Sequence, residues 1–309
     1  MKILPAEHRG MCFGVRDAID IAKSEIARQP ITLLGDLVHN EAVMSDLRRR
    51  GVLLRSDLQD LPTQRVMITA HGASNTRLKW LKDHGLEVVD TTCPLVHRAH
   101  EALANLVRQG FHPVVIGQKG HVEVRGLTED YPECDVILSP EDVERMPPRD
   151  RFGVVSQTTQ PSARVETLLY ALRQRFPTAA VRYHDTVCRP TKDRQSAAIN
   201  LARQCDVVIV IGGAQSNNTK ELATTCRQAC PKTYQVQTAQ DLKTEWFWTG
   251  CTVGVTAGTS TPDIIIKGVE TTLEAIAQQM RVATPEFGGS NEHDVLHMAP
   301  GAPATANAA

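Results

Sequence analysis

The sequence predicts an α/β protein built from three repeated parallel-sheet units in a pseudo-threefold arrangement. Three observations predict it. Apolar runs of strand length alternate with helical segments along most of the 309 residues, as expected of parallel sheets covered by helices. The pattern returns three times. Each return begins at a cysteine, and similar spacings lead from that cysteine to the polar turns that follow.

Each unit opens with a short strand running into a cysteine: Lys2-Ile3-Leu4 toward Gly10-Met11-Cys12, Leu86 to Thr92 into Cys93, and Val181 to Val187 into Cys188. A helix follows each cysteine. An apolar strand comes next and ends in a polar turn. These turns are Val38-His39-Asn40, Gly120-His121-Val122-Glu123 and Gln215-Ser216-Asn217-Asn218. An acidic loop then recurs at Ser56-Asp57-Leu58, Pro140-Glu141-Asp142-Val143 and Gln240-Asp241-Leu242. A last strand leads into a small polar turn: Ala70-His71-Gly72, Ser156-Gln157-Thr158-Thr159 and Ala257-Gly258-Thr259-Ser260. From cysteine to first turn the steps are 27, 28 and 30 residues (to His39, His121 and Asn218). To the second turn they are 59, 65 and 72 (to His71, Thr158 and Ser260).

The units therefore divide as 1–93, 94–188 and 189–281. Residues 282–309, rich in Gly, Ala and Pro, are expected to form a disordered tail. In parallel α/β sheets, ligands bind beyond the carboxyl ends of the strands, where loops and helix N-termini converge. Three units meeting at one axis would bring three cysteines and six polar turns to one cavity.

Composition narrows the function classes. With 34 basic and 35 acidic residues the formal net charge is −1, which argues against a protein that coats nucleic acid. Aromatics at 4% give few stacking platforms for single strands. No run approaches the roughly 20 apolar residues that span a bilayer, and the N-terminus lacks the apolar core of a signal peptide. A cytoplasmic location is expected, so the eight cysteines call for packing, metal or nucleophilic roles rather than disulfides.

Cys134, Cys205, Cys226, Cys230 and Cys251 adjoin apolar runs or a helix and read as small packing residues. Cys12, Cys93 and Cys188 stand apart, each at a strand-to-helix junction where a helix N-terminus favours thiolate. No C-x-x-C pair suggests zinc. Three widely spaced thiolates suit one central iron–sulfur cluster, and a [4Fe–4S] cluster with three cysteine ligands keeps one iron open.

The polar turns carry His39, His71, His121, Thr158, Ser216, Asn217, Asn218 and Ser260, without Lys or Arg. They offer hydrogen-bond donors and potentially positive imidazoles, a set suited to a small phosphorylated ligand. Glu123, two residues past His121, is a candidate proton donor if burial raises its pKa; equally, it is an ordinary acidic residue opening a helix.

These segments resemble the LytB family of 4-hydroxy-3-methylbut-2-enyl diphosphate reductases, from Ile3 to about Met280. The likeness rests on Arg9 to Val15, Val38-His39-Asn40, Ala70-His71-Gly72, Asp90 to Val96, Gly120 to Glu123, Ser156 to Thr159, Ser216 to Thr219 and Val255 to Asp263. The resemblance implies three α/β domains around a [4Fe–4S] cluster on Cys12, Cys93 and Cys188. It implies diphosphate contacts from His39, His71, Ser216, Asn218 and Ser260, and His121, Thr158 and Glu123 near the substrate hydroxyl. It further implies reductive loss of that hydroxyl, the final step of the methylerythritol phosphate route to isopentenyl and dimethylallyl diphosphates, with electrons from a ferredoxin or flavodoxin. Val122, Arg125, Pro190 and Asn217 depart from the usual pattern and leave a divergent paralogue open. A non-redox iron–sulfur hydro-lyase and a cluster-based sensor or binding protein are the alternative functions.

Overall fold

The computed structural model describes residues 1–282, so the expected tail, but for its first position, lies outside the described residues. The elements begin β1 (Lys2–Pro5), α1 (Phe13–Arg28), β2 (Thr32–Leu34), α2 (Glu41–Arg49), β3 (Leu53–Arg55), β4 (Arg65–Ile68), α3 (Asn75–Asp83) and β5 (Glu87–Asp90). They continue with α4 (Pro94–Arg108), β6 (His112–Ile116), α5 (Val122–Thr128), β7 (Asp135–Ile137), α6 (Pro140–Glu144), β8 (Arg151–Ser156), α7 (Ser162–Arg175) and β9 (Ala180–Tyr183). The last are α8 (Arg189–Ala202), β10 (Val207–Ile211), α9 (Asn217–Ala229), β11 (Thr233–Val236), β12 (Thr252–Ala257) and α10 (Asp263–Val282).

The strands form three four-stranded sheets, ordered β3-β2-β4-β5, β7-β6-β8-β9 and β11-β10-β12-β1. Every pairing is parallel. The three orders are the same order, so the repeat read from the sequence is a repeat of topology. Both faces of each sheet are covered, which is why the central strands read as unbroken apolar runs. In β10, Val208 and Val210 pack with Ala198, Ala202 and Leu222 of α8 and α9. Val207, Ile209 and Ile211 pack with Ile266, Val269 and Leu273 of α10.

The division at residue 93 differs from the sheets in one respect. β1 pairs with β12 (Ile3 opposite Val253, Leu4 opposite Gly254) and so belongs with the third sheet. The physical reason lies in the chain's end. β12 is followed by α10 rather than by a fourth strand, and β1 takes the place that β5 and β9 hold in the other sheets. Met1 and Ile3 complete the apolar core beneath α10.

Each cysteine thus follows the last strand of one sheet and begins a helix that covers the next. α1 packs its Ala18, Ile19 and Ala22 against Leu33 of β2 and Met67 of β4, although the strand before it lies in the third sheet. The cysteines therefore stand where units meet. Further contacts tie the units into a ring: Ser74 Oγ to Glu129 at 2.6 Å, Arg164 to Glu221 at 2.6 Å, and Ser260 Oγ to the His39 carbonyl at 3.3 Å.

Candidate active site

Cys12, Cys93 and Cys188 are the N-caps of α1, α4 and α8, and none uses its side chain to cap the helix. Each backbone N–H instead donates to a carbonyl in the turn after the neighbouring strand: Cys12 to Thr259 at 3.2 Å, Cys93 to Ala70 at 3.1 Å and Cys188 to Thr158 at 3.0 Å. The three cysteines are held alike by their backbones, and their thiols cap no helix. They also face one another. A Cβ on Gly14 would collide with Cys93 Sγ, so glycine is what lets the Cys93 thiol lie against the start of α1. The Cys12 thiol lies within electrostatic range of both Cys93 and Cys188.

Burial raises the Cys93 thiol above its usual pKa and pushes Cys188 up to about 11. The helix N-termini alone do not make these two thiols thiolates, contrary to the simple sequence argument. A coordinated metal deprotonates a thiol outright. Among the described residues no group of three His, Cys, Asp or Glu side chains is arranged to hold a single metal ion.

The first polar turns have the same origin. Asn40, His121 and Ser216 are the N-caps of α2, α5 and α9, each 28 residues after its cysteine. Counted from N-cap to N-cap, the spacing is uniform, and the unequal steps to His39 and Asn218 reflect which neighbour of the cap was counted. Asn40 Oδ1 accepts the Val43 N–H at 3.2 Å, His121 Nδ1 that of Glu123 at 3.1 Å, and Ser216 Oγ that of Thr219 at 3.3 Å. Since His121 Nδ1 accepts, its neutral ring carries the proton on Nε2, free to donate.

These caps and the second turns enclose a cavity of about 50 Å3 lined by His39, His71, His121, Glu123, Ser216, Asn217, Asn218 and Ser260, with Val15, Val38, Thr159 and Thr259. The histidine rings form one cluster, His39 stacked on His71 at 4.4 Å and His121 edge-on to both at 5.2 and 5.7 Å. Burial lowers all three pKa values, His71 well below the usual range and His121 to about 4. The imidazoles are therefore neutral at pH 7 until an anion joins them. His39 Nε2, His71 Nδ1, Asn217 Nδ2 and Thr159 Oγ1 are buried with no hydrogen-bond partner among the described residues. Such groups are costly unless a ligand satisfies them. Asn218 Oδ1 already accepts the Thr259 N–H at 2.9 Å, and Ser260 Oγ donates to the His39 carbonyl at 3.3 Å. Larger surface clefts, such as one of about 560 Å3 between α7, α8 and α9, do not include the histidines or the three thiols.

Glu123 is 2% exposed, and burial raises its pKa to about 7 against the lowering effect of the Thr158 N–H, which donates to Oε1 at 2.6 Å. It lines the same cavity as the histidines and lies within electrostatic range of Cys93 and Cys188. It is the carboxyl group that joins the polar cavity to the thiols.

The LytB protein family model matches residues 3–274. The chain belongs to the LytB family. A Geobacter sulfurreducens relative, named 4-hydroxy-3-methylbut-2-enyl diphosphate reductase, is 39% identical, over 87% of this chain and 95% of its own length. A relative of the same name from Caldanaerobacter subterraneus is 36% identical over 87% and 95%. A solved structure of (E)-4-hydroxy-3-methyl-but-2-enyl diphosphate reductase, described as the terminal enzyme of the non-mevalonate pathway, superposes with a TM-score of 0.64 at 33% identity, covering 89% of this chain and all of that one. The Plasmodium falciparum E-1-hydroxy-2-methyl-but-2-enyl-4-diphosphate reductase shares the fold, with a TM-score of 0.82 at 24% identity over 97% and 95%. LytB proteins are iron–sulfur enzymes.

The departures from the LytB pattern have local explanations. Val122 occupies the first position of α5, where proline is also at home, and the His121–Glu123 bond holds the turn without it. Pro190 lies in the first turn of α8. Asn217 begins α9, with an amide group in place of a hydroxyl. Arg125 is exposed on α5. Thr158, expected beside the substrate, is buried and meets Glu123 through both its backbone and its side chain, and its neighbour Thr159 lines the cavity. Sequence reasoning missed Thr191, whose Oγ1 lies 3.1 Å from Cys188 Sγ; its place three residues past a helix-capping cysteine was the available signal. The five remaining cysteines lie in or against apolar cores, where they act as packing residues.

Proposed function

We propose that this chain is a 4-hydroxy-3-methylbut-2-enyl diphosphate reductase that removes the allylic hydroxyl reductively. Substrate, two electrons and two protons give water and either isopentenyl or dimethylallyl diphosphate. The observation that carries the reading is the position of Glu123, a buried carboxyl shared by a cavity of unsatisfied donors and three converging thiols.

Cys12, Cys93 and Cys188 suit a [4Fe–4S] cluster: they cap three equivalent helices, make no capping bonds, and Cys12 lies within electrostatic range of the other two. Such a cluster would supply electrons singly and an iron with one free position for the substrate oxygen. The chain's own residues do the rest. His39 Nε2 and Asn217 Nδ2 donate to the diphosphate, joined by the Ser216 and Ser260 hydroxyls, the Asn218 amide and His71, while His121 Nε2 donates beside the substrate hydroxyl. Diphosphate charge returns the buried imidazoles toward their protonated form, adding ionic attraction. Glu123, half protonated near pH 7, delivers the proton with which the hydroxyl departs as water. The Thr158 N–H holds its carboxyl in place. The cavity is small beside ordinary ligand pockets, so the units must separate to admit substrate and close to exclude water.

A ferredoxin- or flavodoxin-type protein would supply the electrons. All eight cysteines are free thiols, and among the described residues no helix is long and apolar enough to cross a membrane. Both features support a cytoplasmic setting.

The test is an anaerobic assay of reconstituted protein with the diphosphate substrate and a low-potential reductant, followed by product identification. Formation of the two isomeric diphosphates is expected. Turnover without any reductant would instead identify a hydro-lyase, and ligand binding without product would identify a sensor.

A further inference from the structure

Arg194 lies on α8, six residues past Cys188, and is 7% exposed. Its guanidinium is held by one carbonyl of the loop before Cys12 and one of the first turn of its own helix. Nε and Nη2 donate to the Gly10 carbonyl at 3.1 and 2.6 Å, and Nη1 donates to the Pro190 carbonyl at 2.9 Å. Gly10 stands two residues before Cys12, and Pro190 two after Cys188. One side chain therefore ties the loop that carries Cys12 to the helix that Cys188 caps.

Hydrogen bonds to carbonyls satisfy the donors and leave the charge uncompensated. Among the described residues no carboxylate comes within ion-pair distance of Arg194, and the adjacent Asp193 is paired with Arg189 at 3.0 Å. A buried, unpaired cation is strongly destabilising. The foremost groups within its electrostatic reach that become negative when they bind a metal are the Cys12 and Cys188 thiols, opposed by the like charge of Arg16.

The repeat isolates this residue. Six residues past Cys12 stands Ala18, and six past Cys93 stands Ala99, both buried. The equivalent site in the other two units packs with a methyl group. Packing at this helix position does not call for arginine.

We propose that Arg194 is the fixed counter-charge of the cluster's thiolate ligands and sets the cluster's reduction potential from one side. The inference rests on the iron–sulfur reading above and goes beyond it. Each electron taken from the donor adds one negative charge to the cluster, and a cation buried beside two of its ligands stabilises the reduced form more than the oxidised form. Arg194 acts through Cys12 and Cys188 and is a positioning residue.

The test compares Arg194→Gln, which removes the charge, with Arg194→Lys, which keeps it and breaks the paired bonds to the Gly10 carbonyl. Reconstituted wild type and both variants are assayed for iron and sulfide, and their potentials are read by spectroelectrochemistry. The Gln variant is expected to disfavour reduction about tenfold, a potential about 59 mV more negative, with Lys close to wild type. A wild-type potential in a fully loaded Gln variant overturns the proposal, as do equal shifts in both. Should the Gln variant not retain iron, retention by Lys supports the charge requirement. Loss from both makes Arg194 a structural brace only and overturns it. A wild-type chain that takes up no cluster sinks the iron–sulfur reading first, and this inference with it.

Discussion

The cysteine ends and the polar-turn ends of the three units arose on the same scaffold and differ in how far they have diverged. All three cysteines cap a long helix, make no capping bond and send their N–H to an equivalent carbonyl. The next three caps, 28 residues on, are Asn40, His121 and Ser216, three different chemistries at one structural position. The difference follows from what each end would hold. A cubane cluster presents equivalent corners and suits identical ligands. A substrate with a diphosphate at one end and a hydroxyl at the other does not, and among the described residues only the second unit carries a buried carboxyl, Glu123.

The predictions press on that contrast. Cys12→Ser, Cys93→Ser and Cys188→Ser should each abolish cluster retention and activity to a similar degree, checked by iron content and turnover. One variant with wild-type iron and activity would break the equivalence. Glu123→Gln should keep its iron and lose about 10²- to 10⁴-fold in turnover; full activity would remove Glu123 from the mechanism.

The turns should respond unequally. His39→Ala, Ser216→Ala and Asn217→Ala each remove one donor and should weaken substrate binding by about 1–3 kcal/mol, seen mainly in KM. Uniform losses in kcat would contradict a binding role.

Smallest is the proton effect. The free histidines have lowered pKa values, and a bound diphosphate raises them, so binding near neutral pH takes up protons and weakens as pH rises through that window. Calorimetry of inorganic diphosphate binding in two buffers of different ionisation enthalpy should reveal the uptake. Identical heats would contradict it.

Much of this was legible in the chain. Strand positions such as Val207–Ile211 followed from continuous apolar runs, because both sheet faces are covered. The cysteines stood out because their spacing recurred. The recurring acidic loops have a local cause: Asp142 Oδ2 accepts from Leu138 and Ser139 N–H groups, and Asp241 Oδ2 from Gln237 and Thr238. What stayed hidden depended on distant partners. The place of β1 beside β12 is a pairing across the whole chain. Gly14 matters because of Cys93, and Arg194 because of Gly10. The histidine charge state was misjudged from composition, since burial and mutual repulsion make the rings neutral.

The most direct test of the account is a Mössbauer spectrum of anaerobically reconstituted protein, recorded with and without substrate. Three thiolates on one cubane predict a single iron site distinct from the other three, whose signal changes when the diphosphate is added. Four equivalent irons, or a spectrum indifferent to substrate, would contradict it.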